Sequence, residues 1–246
     1  MSRKLHLTTR KTHRYLGFFI GVQFLFWTVG GLYFSWNNMK DVHGKTLLDK
    51  TEHTFSFQYN AAIQEALKTI KQPIEKIEGI EVNNNRFLRV KTVNGFQLLK
   101  LDTQQITSQK KITEEEVITF VKSRLKTPIA IKEISLLNEK DISKTHEYRG
   151  KPLPVYAVSL AHETNTKVYV DPSLAKITSV RNDNWRRFDF LWMLHVMDFE
   201  TRDHITNWVL RIFSVLGLFT IGSGFYLFYL SSPTIRKIKR RMKANS

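Results

Sequence analysis

Two long apolar runs dominate the pattern of hydrophobic and polar positions along the chain. The first extends from Tyr15 to Phe34 without a formal charge, and the second extends from Trp208 to Leu230 with one charge, Arg211. At about 1.5 Å of rise per residue, a helix of about twenty residues matches the roughly 30 Å hydrocarbon core of a bilayer. Arg211 lies within one turn of the start of its run, where its side chain can reach the headgroups. Both runs are predicted to be transmembrane helices.

The first run poses a choice between a cleaved secretion signal and a retained anchor. A typical signal peptide has an apolar core of about 7–15 residues followed by small residues at a cleavage site. This run is longer, and no A-x-A-like site follows it. Trp27, Tyr33 and Trp36 include the amphipathic rings expected toward a membrane interface. We therefore expect an uncleaved signal-anchor helix over 15–36.

Between the two runs, the pattern predicts a helix followed by antiparallel strands. In this first unit, about 55–110, Asn60 is placed to cap a helix whose apolar positions recur at helical spacing. Asn94-Gly95 is a two-residue hairpin signal because both residues tolerate positive φ. Strands are predicted at 80–82, 86–93 and 96–102.

The same order then recurs in a second unit, about 111–181. Thr113 and Glu116 have the spacing of a capping box. Ile-Thr-Ser follows a strand in both units, at 106–108 and at 177–179, so the weak repeat predicts two similar α+β units. A polar insertion, 138–154, is predicted to be an exposed loop. Strands of the second unit are predicted at 129–137, 155–160 and 167–171.

The apolar stretch 185–199 is too short and too interrupted to span a bilayer. It predicts a helix that lies in the outer headgroup region or packs against the two spans, so 185–207 is expected to be an interfacial helix and connection. The expected fold class is therefore an α+β membrane protein, in which two transmembrane helices bracket tandem helix-plus-hairpin units. The predicted order is a basic tail (1–14), a first span (15–36), an outer domain (37–184), the interfacial segment (185–207), a second span (208–230) and a basic tail (231–246).

The net charge of +16 is concentrated at the two ends of the chain. Residues 1–14 contribute +5 and residues 231–246 contribute +6, without any Asp or Glu, which leaves +5 for everything between. This distribution indicates two cytoplasmic ends with 37–207 outside, and it argues against nucleic acid as a partner. The chain has no cysteine, which excludes disulfides, thiolate metal sites and covalently attached c-type haem.

Four short motifs resemble the PepSY family with its associated transmembrane helices, and the resemblance extends over nearly the whole chain. They are Thr-His-Arg-Tyr-Leu-Gly at 12–17, Val-Tyr-Val-Asp-Pro at 168–172, Leu-His at 194–195 and Gly-Ser-Gly at 222–224. The resemblance implies a bacterial inner membrane and a periplasmic main domain. Larger relatives resemble ferric-siderophore reductases that carry haem between histidines, and soluble relatives look like propeptide modules proposed to bind peptidases. The chain departs from the family at Ala175, where a glycine is usual, and in the shortened turn at 102–105.

The resemblance makes four histidines candidate ligands of haem b: His13, His43, His195 and His204. His13 is expected at the cytoplasmic edge of the first span, where the second span offers no histidine. It would then hydrogen-bond to headgroups or to a carbonyl, or share a haem with another subunit. The other three are expected on the outer side. The Trp and Met residues around His195 would suit either a porphyrin face or ordinary packing.

Hydrolase chemistry finds little support, because no G-x-S-x-G, H-E-x-x-H or phosphate-binding glycine loop is present. Asp171 precedes Pro172 as a turn-former, and the acidic cluster 114–116 opens a helix, where the helix dipole already explains it. The sequence therefore predicts an inner-membrane accessory or regulatory subunit that binds a partner protein. The alternative is a haem-bearing electron-transfer subunit in iron uptake.

Overall fold

The computed structural model describes residues 3–102, 106–109, 111–235 and 237. Within that part of the chain the fold is α+β, with two long apolar helices and two antiparallel sheets. The chain divides into two compact units. We call Met1–Trp36 with Phe188–Ser246 the helical unit, and Asn37–Arg187 the sheet unit.

The helical unit contains α1 (Arg3–Trp36), α6 (Trp208–Ser231) and the last residues of α5 (Asp183–Val196). The helices α1 and α6 run antiparallel, since Phe19 stacks on Phe213 with 5.3 Å between ring centroids while the earlier His13 reaches the later Ser223. The segments Leu7–Trp36 and Trp208–Ser231 are long and apolar enough to cross a membrane.

The first sheet of the sheet unit is accompanied by two short helices, α2 (Met39–Val42) before its first strand and α3 (Ala61–Lys68) between its first and second strands. The side chain of Asn60 accepts a hydrogen bond from the backbone N–H of Ile63 at 2.9 Å, so the predicted cap of α3 is confirmed. Each strand pairs with its neighbours in chain order. The strands are β1 (His53–Phe55), β2 (Ile74–Val82), β3 (Asn85–Thr92), β4 (Gly95–Leu101) and β5 (Ile106–Gln109).

Two described hairpin turns of this sheet differ from the pattern predicted for them. Asn83 and Asn84 both have positive φ, 52° and 61°, and form the two-residue turn between β2 and β3, whereas the predicted strands left three residues, 83–85, for it. In the next hairpin Thr92 pairs with Gly95, so the turn lies one residue earlier than the predicted Asn94-Gly95. Gly95 opens β4 with φ of 122°, a conformation that other residues rarely adopt.

The second sheet follows a helix, α4 (Glu114–Arg124). Thr113 and Glu116 form the predicted capping box. Asp171 accepts hydrogen bonds from the backbone N–H groups of Ser173 and Leu174, which confirms its predicted role in a turn. Ala175, at the family's glycine position, has φ of 50°. The strands are β6 (Ile131–Leu137), β7 (Val155–Leu160), β8 (Lys167–Asp171) and β9 (Lys176–Arg181).

The two sheets share one hydrophobic core around α4. Val117 and Val121 of α4 pack with Phe87 of the first sheet and with Val158 and Val168 of the second. Because side chains alternate along a strand, the opposite face of each sheet needs its own cover. The helix α3 covers the first sheet through residues such as Ile63 and Leu67.

Part of the insertion 138–154 covers the outer face of the second sheet. Tyr148 is fully buried and stacks on Tyr169, with 4.7 Å between ring centroids. The hydroxyl group of Tyr148 lies 2.9 Å from that of Thr178, which keeps the buried oxygen hydrogen-bonded. The prediction that this insertion is an exposed loop is therefore wrong at Tyr148. This residue belongs to the core, but the polar residues around it in sequence give no apolar pattern that would indicate burial.

Candidate functional site

The imidazole of His13 is held against α6. Its Nδ1 lies 2.7 Å from the hydroxyl oxygen of Ser223, and that hydroxyl donates to the carbonyl of Thr220 at 2.8 Å. The hydroxyl group of Ser223 thus lies within hydrogen-bond distance of both the His13 ring and the Thr220 carbonyl. A Cβ atom at Gly224 would lie 3.2 Å from Cε1 of His13, so the glycine permits this close approach.

The imidazole of His195 lies among aromatic rings of the helical unit. Its ring is nearly parallel to Trp192 at 5.9 Å, and it also contacts Trp27 and Phe34. The indole N–H of Trp27 donates to the backbone carbonyl of His195 at 2.8 Å. The buried Nδ1 of His195 has no hydrogen-bond partner among the described residues. His195 therefore has the aromatic packing that the sequence suggested, and its Nδ1 atom has no hydrogen bond within the described residues.

His204 lies on the exposed connection between α5 and α6. Its backbone N–H donates to the carboxylate of Asp198, which also accepts hydrogen bonds from the backbone and hydroxyl group of Thr201. Burial opposes the ionisation of Asp198, but these hydrogen bonds more than offset it and lower the pKa of Asp198. The carboxylate thus organises the connection, a role that the sequence did not reveal.

His43 lies in the sheet unit, at the end of α2, and its side chain is exposed. Burial of part of the ring lowers the pKa of His43, and nearby cations lower it further. These cations are, in order of effect, Lys50, Arg181, Lys45 and Lys151. His43 therefore belongs to a cationic surface.

The helical unit does not bring His13 and His195 together. Trp27, which contacts His195, follows His13 by fourteen residues, or roughly 21 Å along a helix. Within the described residues, no group of three or more His, Asp or Glu side chains is placed to hold a metal ion. His13 and His195 are therefore too far apart to bind a single iron as a pair.

The outer edge of β6 is an open backbone surface in the sheet unit. This seven-residue strand pairs with β7 on one side, and no described residue hydrogen-bonds to its other side. The other edge strands offer less unpaired backbone. The strands β1 and β5 have only three and four residues, and on β9 the carbonyl of Thr178 already accepts a hydrogen bond from Lys151. Beside the open edge, the side chain of Leu136 is 45% exposed.

Two partly buried ion-pair networks of the sheet unit were not predicted. Arg89, 7% exposed, donates to Glu52 and Glu78 and to the carbonyl of Leu174. Similarly, the carboxylate of Glu147 accepts from Arg186 at 2.8 Å and from the Tyr169 hydroxyl at 2.6 Å. Burial of Tyr169 and this carboxylate raise the pKa of Tyr169. In both networks the arginine faces carboxylates, as expected of structural ion pairs.

Comparison with known proteins finds no match: no protein-family model matches the chain, and neither does any curated protein or solved structure.

Proposed function

We propose that this chain is a membrane-anchored accessory or regulatory protein of the PepSY type, whose sheet unit binds a partner protein. The proposal combines the resemblance in sequence with two structural features. These features are the exposed apolar surface of the helical unit and the open edge of β6.

The surface of the helical unit suits a bilayer better than water. Phe18, Leu218 and Phe225 are 71–78% exposed, and none of the described residues of α6 is buried. So many large apolar side chains exposed along two neighbouring helices are rare on soluble monomers. Because α1 and α6 run antiparallel, a membrane-spanning pair would place the basic ends on one side. We assign that side to the cytoplasm of a bacterial inner membrane, with the sheet unit in the periplasm.

The open edge of β6 is the observation that carries the partner proposal. An unpaired strand edge presents N–H and C=O groups that a strand of another protein can pair with. The exposed side chains of Lys132 and Glu133 on β6 offer one charge of each sign. Leu136 adds an apolar contact at the same edge. Together they would select an extended segment with an apolar residue.

Photocrosslinking tests this proposal in native membranes. A photoreactive residue replaces Lys132, and the same substitution at Lys68, an exposed position on α3, serves as a control. The proposal predicts a discrete crosslinked partner from position 132 that is absent from position 68. It also predicts that Leu136→Glu abolishes the crosslink, whereas Val93→Glu, at an exposed apolar residue in a hairpin turn, preserves it. An unchanged crosslink in Leu136→Glu would contradict the proposal.

A haem-bearing electron-transfer subunit is the second candidate, and the unpartnered Nδ1 of His195 among aromatic rings favours it. We place the second axial ligand on another chain, because His13 lies roughly 21 Å along α1 from Trp27 and does not reach the same iron. Bound haem would provide one-electron chemistry. A visible absorption spectrum of the protein purified from its native membranes tests this candidate. A Soret band lost in His195→Ala and retained in His204→Ala would support it, and a colourless, folded protein would remove it.

A further inference from the structure

Three segments of the sheet unit meet at the end of β9. The side-chain N–H of Asn182 donates to the carbonyl of Asp41 at 2.8 Å, which joins the segment after α1 to the end of β9. Gly44, with φ of 67°, packs so closely on Val180 that a Cβ atom would not fit. From the third segment, the carbonyl of Glu147 accepts from Nε of Arg181 at 2.8 Å.

These contacts gather four cations, Lys45, Lys50, Lys151 and Arg181, which we call the cationic cluster. The segments that carry them lie side by side, since Gly44 packs on Val180 and Lys151 contacts the carbonyl of Thr178. In agreement with this arrangement, all four charges lower the pKa of His43. The Nζ atom of Lys50 donates to the carbonyl of His43 at 2.9 Å, and that of Lys151 donates to the carbonyl of Thr178 at 3.2 Å. Within the described part of the chain, none of the three lysines forms an ion pair with a carboxylate.

The cluster differs from the ion-pair networks of the same unit. Arg89 and Arg186 face carboxylates, whereas the charges that act on Lys50 all come from other cations. Burial and this repulsion lower the pKa of Lys50 from 10.5 to about 8. Like charges held together in a partly buried place destabilise the fold unless an anion joins them. The neighbouring carboxylate of Glu147 is already engaged by Arg186 and Tyr169.

We propose that the cationic cluster binds a phosphate group, carried by an anionic phospholipid or by free phosphate. Lysine and arginine are common phosphate ligands, and several converging on one place match the charge and the multiple oxygens of that group. The cluster also lies near α1 and α5 along the chain, since His43 follows Trp36 by seven residues and Arg181 precedes Asp183 by two. This inference does not depend on the partner proposed for β6.

The His43 ring reports on the site, because an anion among the cations would raise its pKa. The full chain is placed in phosphatidylcholine nanodiscs, and its labelled histidines are titrated by NMR, with His43→Gln assigning the signal. In the first arm, inorganic phosphate is added, and chloride at the same ionic strength serves as the reference. In the second arm, phosphatidylglycerol replaces part of the phosphatidylcholine. A saturable rise in the His43 pKa in the lipid arm alone identifies a headgroup site. A rise with inorganic phosphate identifies a site for free phosphate, and no rise in either arm overturns the proposal.

Substitutions separate the site from general attraction to anions. Lys50→Met and Lys151→Met should each weaken binding about tenfold, the loss expected for one charge-assisted hydrogen bond. Lys122→Met removes the same charge from an exposed position on α4 and should leave binding unchanged. Because Lys50 is repelled by its neighbours, Lys50→Met should not lower the thermal midpoint of the unliganded protein. Equal binding by the Lys50, Lys151 and Lys122 variants would overturn the proposal.

Discussion

The Nδ1 atom of His13 lies 2.7 Å from the hydroxyl oxygen of Ser223, and the hydrogen bond between them links the beginning of α1 to the end of α6. The two residues are 210 positions apart in sequence. A headgroup, a carbonyl or a shared haem was expected as the partner of His13, and the structure adds a serine hydroxyl to these candidates. This bond fixes which ends of the two apolar helices lie together.

A double-mutant cycle between His13→Phe and Ser223→Ala tests the bond. Hydrogen bonds between membrane helices contribute about 0.6 kcal/mol on average, so we expect a coupling energy of that order. Unfolding of the intact protein in mixed micelles measures it. Ser214→Ala is the matched control, because the hydroxyl of Ser214 donates within its own helix to Leu210. A coupling energy of zero would show that the bond does not stabilise the helix pair.

The Arg89 network should stabilise the sheet unit. Arg89→Met removes a buried guanidinium and leaves Glu52 and Glu78 with lysine partners only, so we expect a loss of about 2–3 kcal/mol. Amide hydrogen exchange of β3 in the intact protein measures the free energy of opening. Arg86→Met, on the same strand at an exposed arginine that lies over Phe55, should cost less than about 1 kcal/mol.

The contribution of Arg89 should also depend on pH. Burial opposes the ionisation of Glu52, but hydrogen bonds from Lys176 and Arg89 offset it and lower its pKa. Hydrogen bonds from Lys76 and Arg89 likewise lower the pKa of Glu78. A lowered folded pKa stabilises the fold above the unfolded value, about 4.3, and this stability is lost as the pH falls through the folded pKa. The stability difference between wild type and Arg89→Met should therefore shrink in acid; a constant difference would contradict this account.

Local signals in the sequence predicted local structure well. The caps at Asn60 and Thr113 and the turn at Asp171 depend on residues within three positions, and all three are confirmed. The hairpin after β3 was predicted, but its turn was placed one residue too late. The register of this hairpin depends on the pairing of β3 with β4 along their whole length. A dipeptide signal such as Asn94-Gly95 carries no information about that pairing.

Features made by distant residues could not be predicted. The shared core around α4 joins strands from both sheets, and the cationic cluster joins Lys50 to Lys151. Tyr148 stands in a polar segment with no apolar periodicity, so its burial depends on Tyr169 and Thr178. The candidate sites share this property: His195 is surrounded by rings from two helices, and the openness of β6 follows from the strand order.

The burial of Tyr148 leads to a further prediction. Tyr148→Ala should destabilise the sheet unit by about 3–5 kcal/mol, as expected when a buried aromatic side chain is removed. Tyr148→Phe should cost only about 1 kcal/mol, because it keeps the ring and loses the hydrogen bond to Thr178. Tyr59→Ala, at a residue 63% exposed, serves as the control and should cost at most about 0.5 kcal/mol. Similar hydrogen-exchange protection of β8 in Tyr148→Ala and Tyr59→Ala would contradict the assigned role.

Orientation in the membrane is the central claim, and thiol labelling of intact cells measures it most directly. The chain contains no cysteine, so a single cysteine introduced at Ser2, Ser56 or Ser246 reports its position without background. Ser56 is exposed and follows β1 of the first sheet, so it is not part of the edge proposed to bind a partner. We expect a membrane-impermeant maleimide that passes only the outer membrane to label Ser56→Cys. We expect Ser2→Cys and Ser246→Cys to be labelled only after the inner membrane is opened. Labelling of either terminal cysteine in intact cells, or protection of Ser56→Cys under the same conditions, would contradict the proposed arrangement.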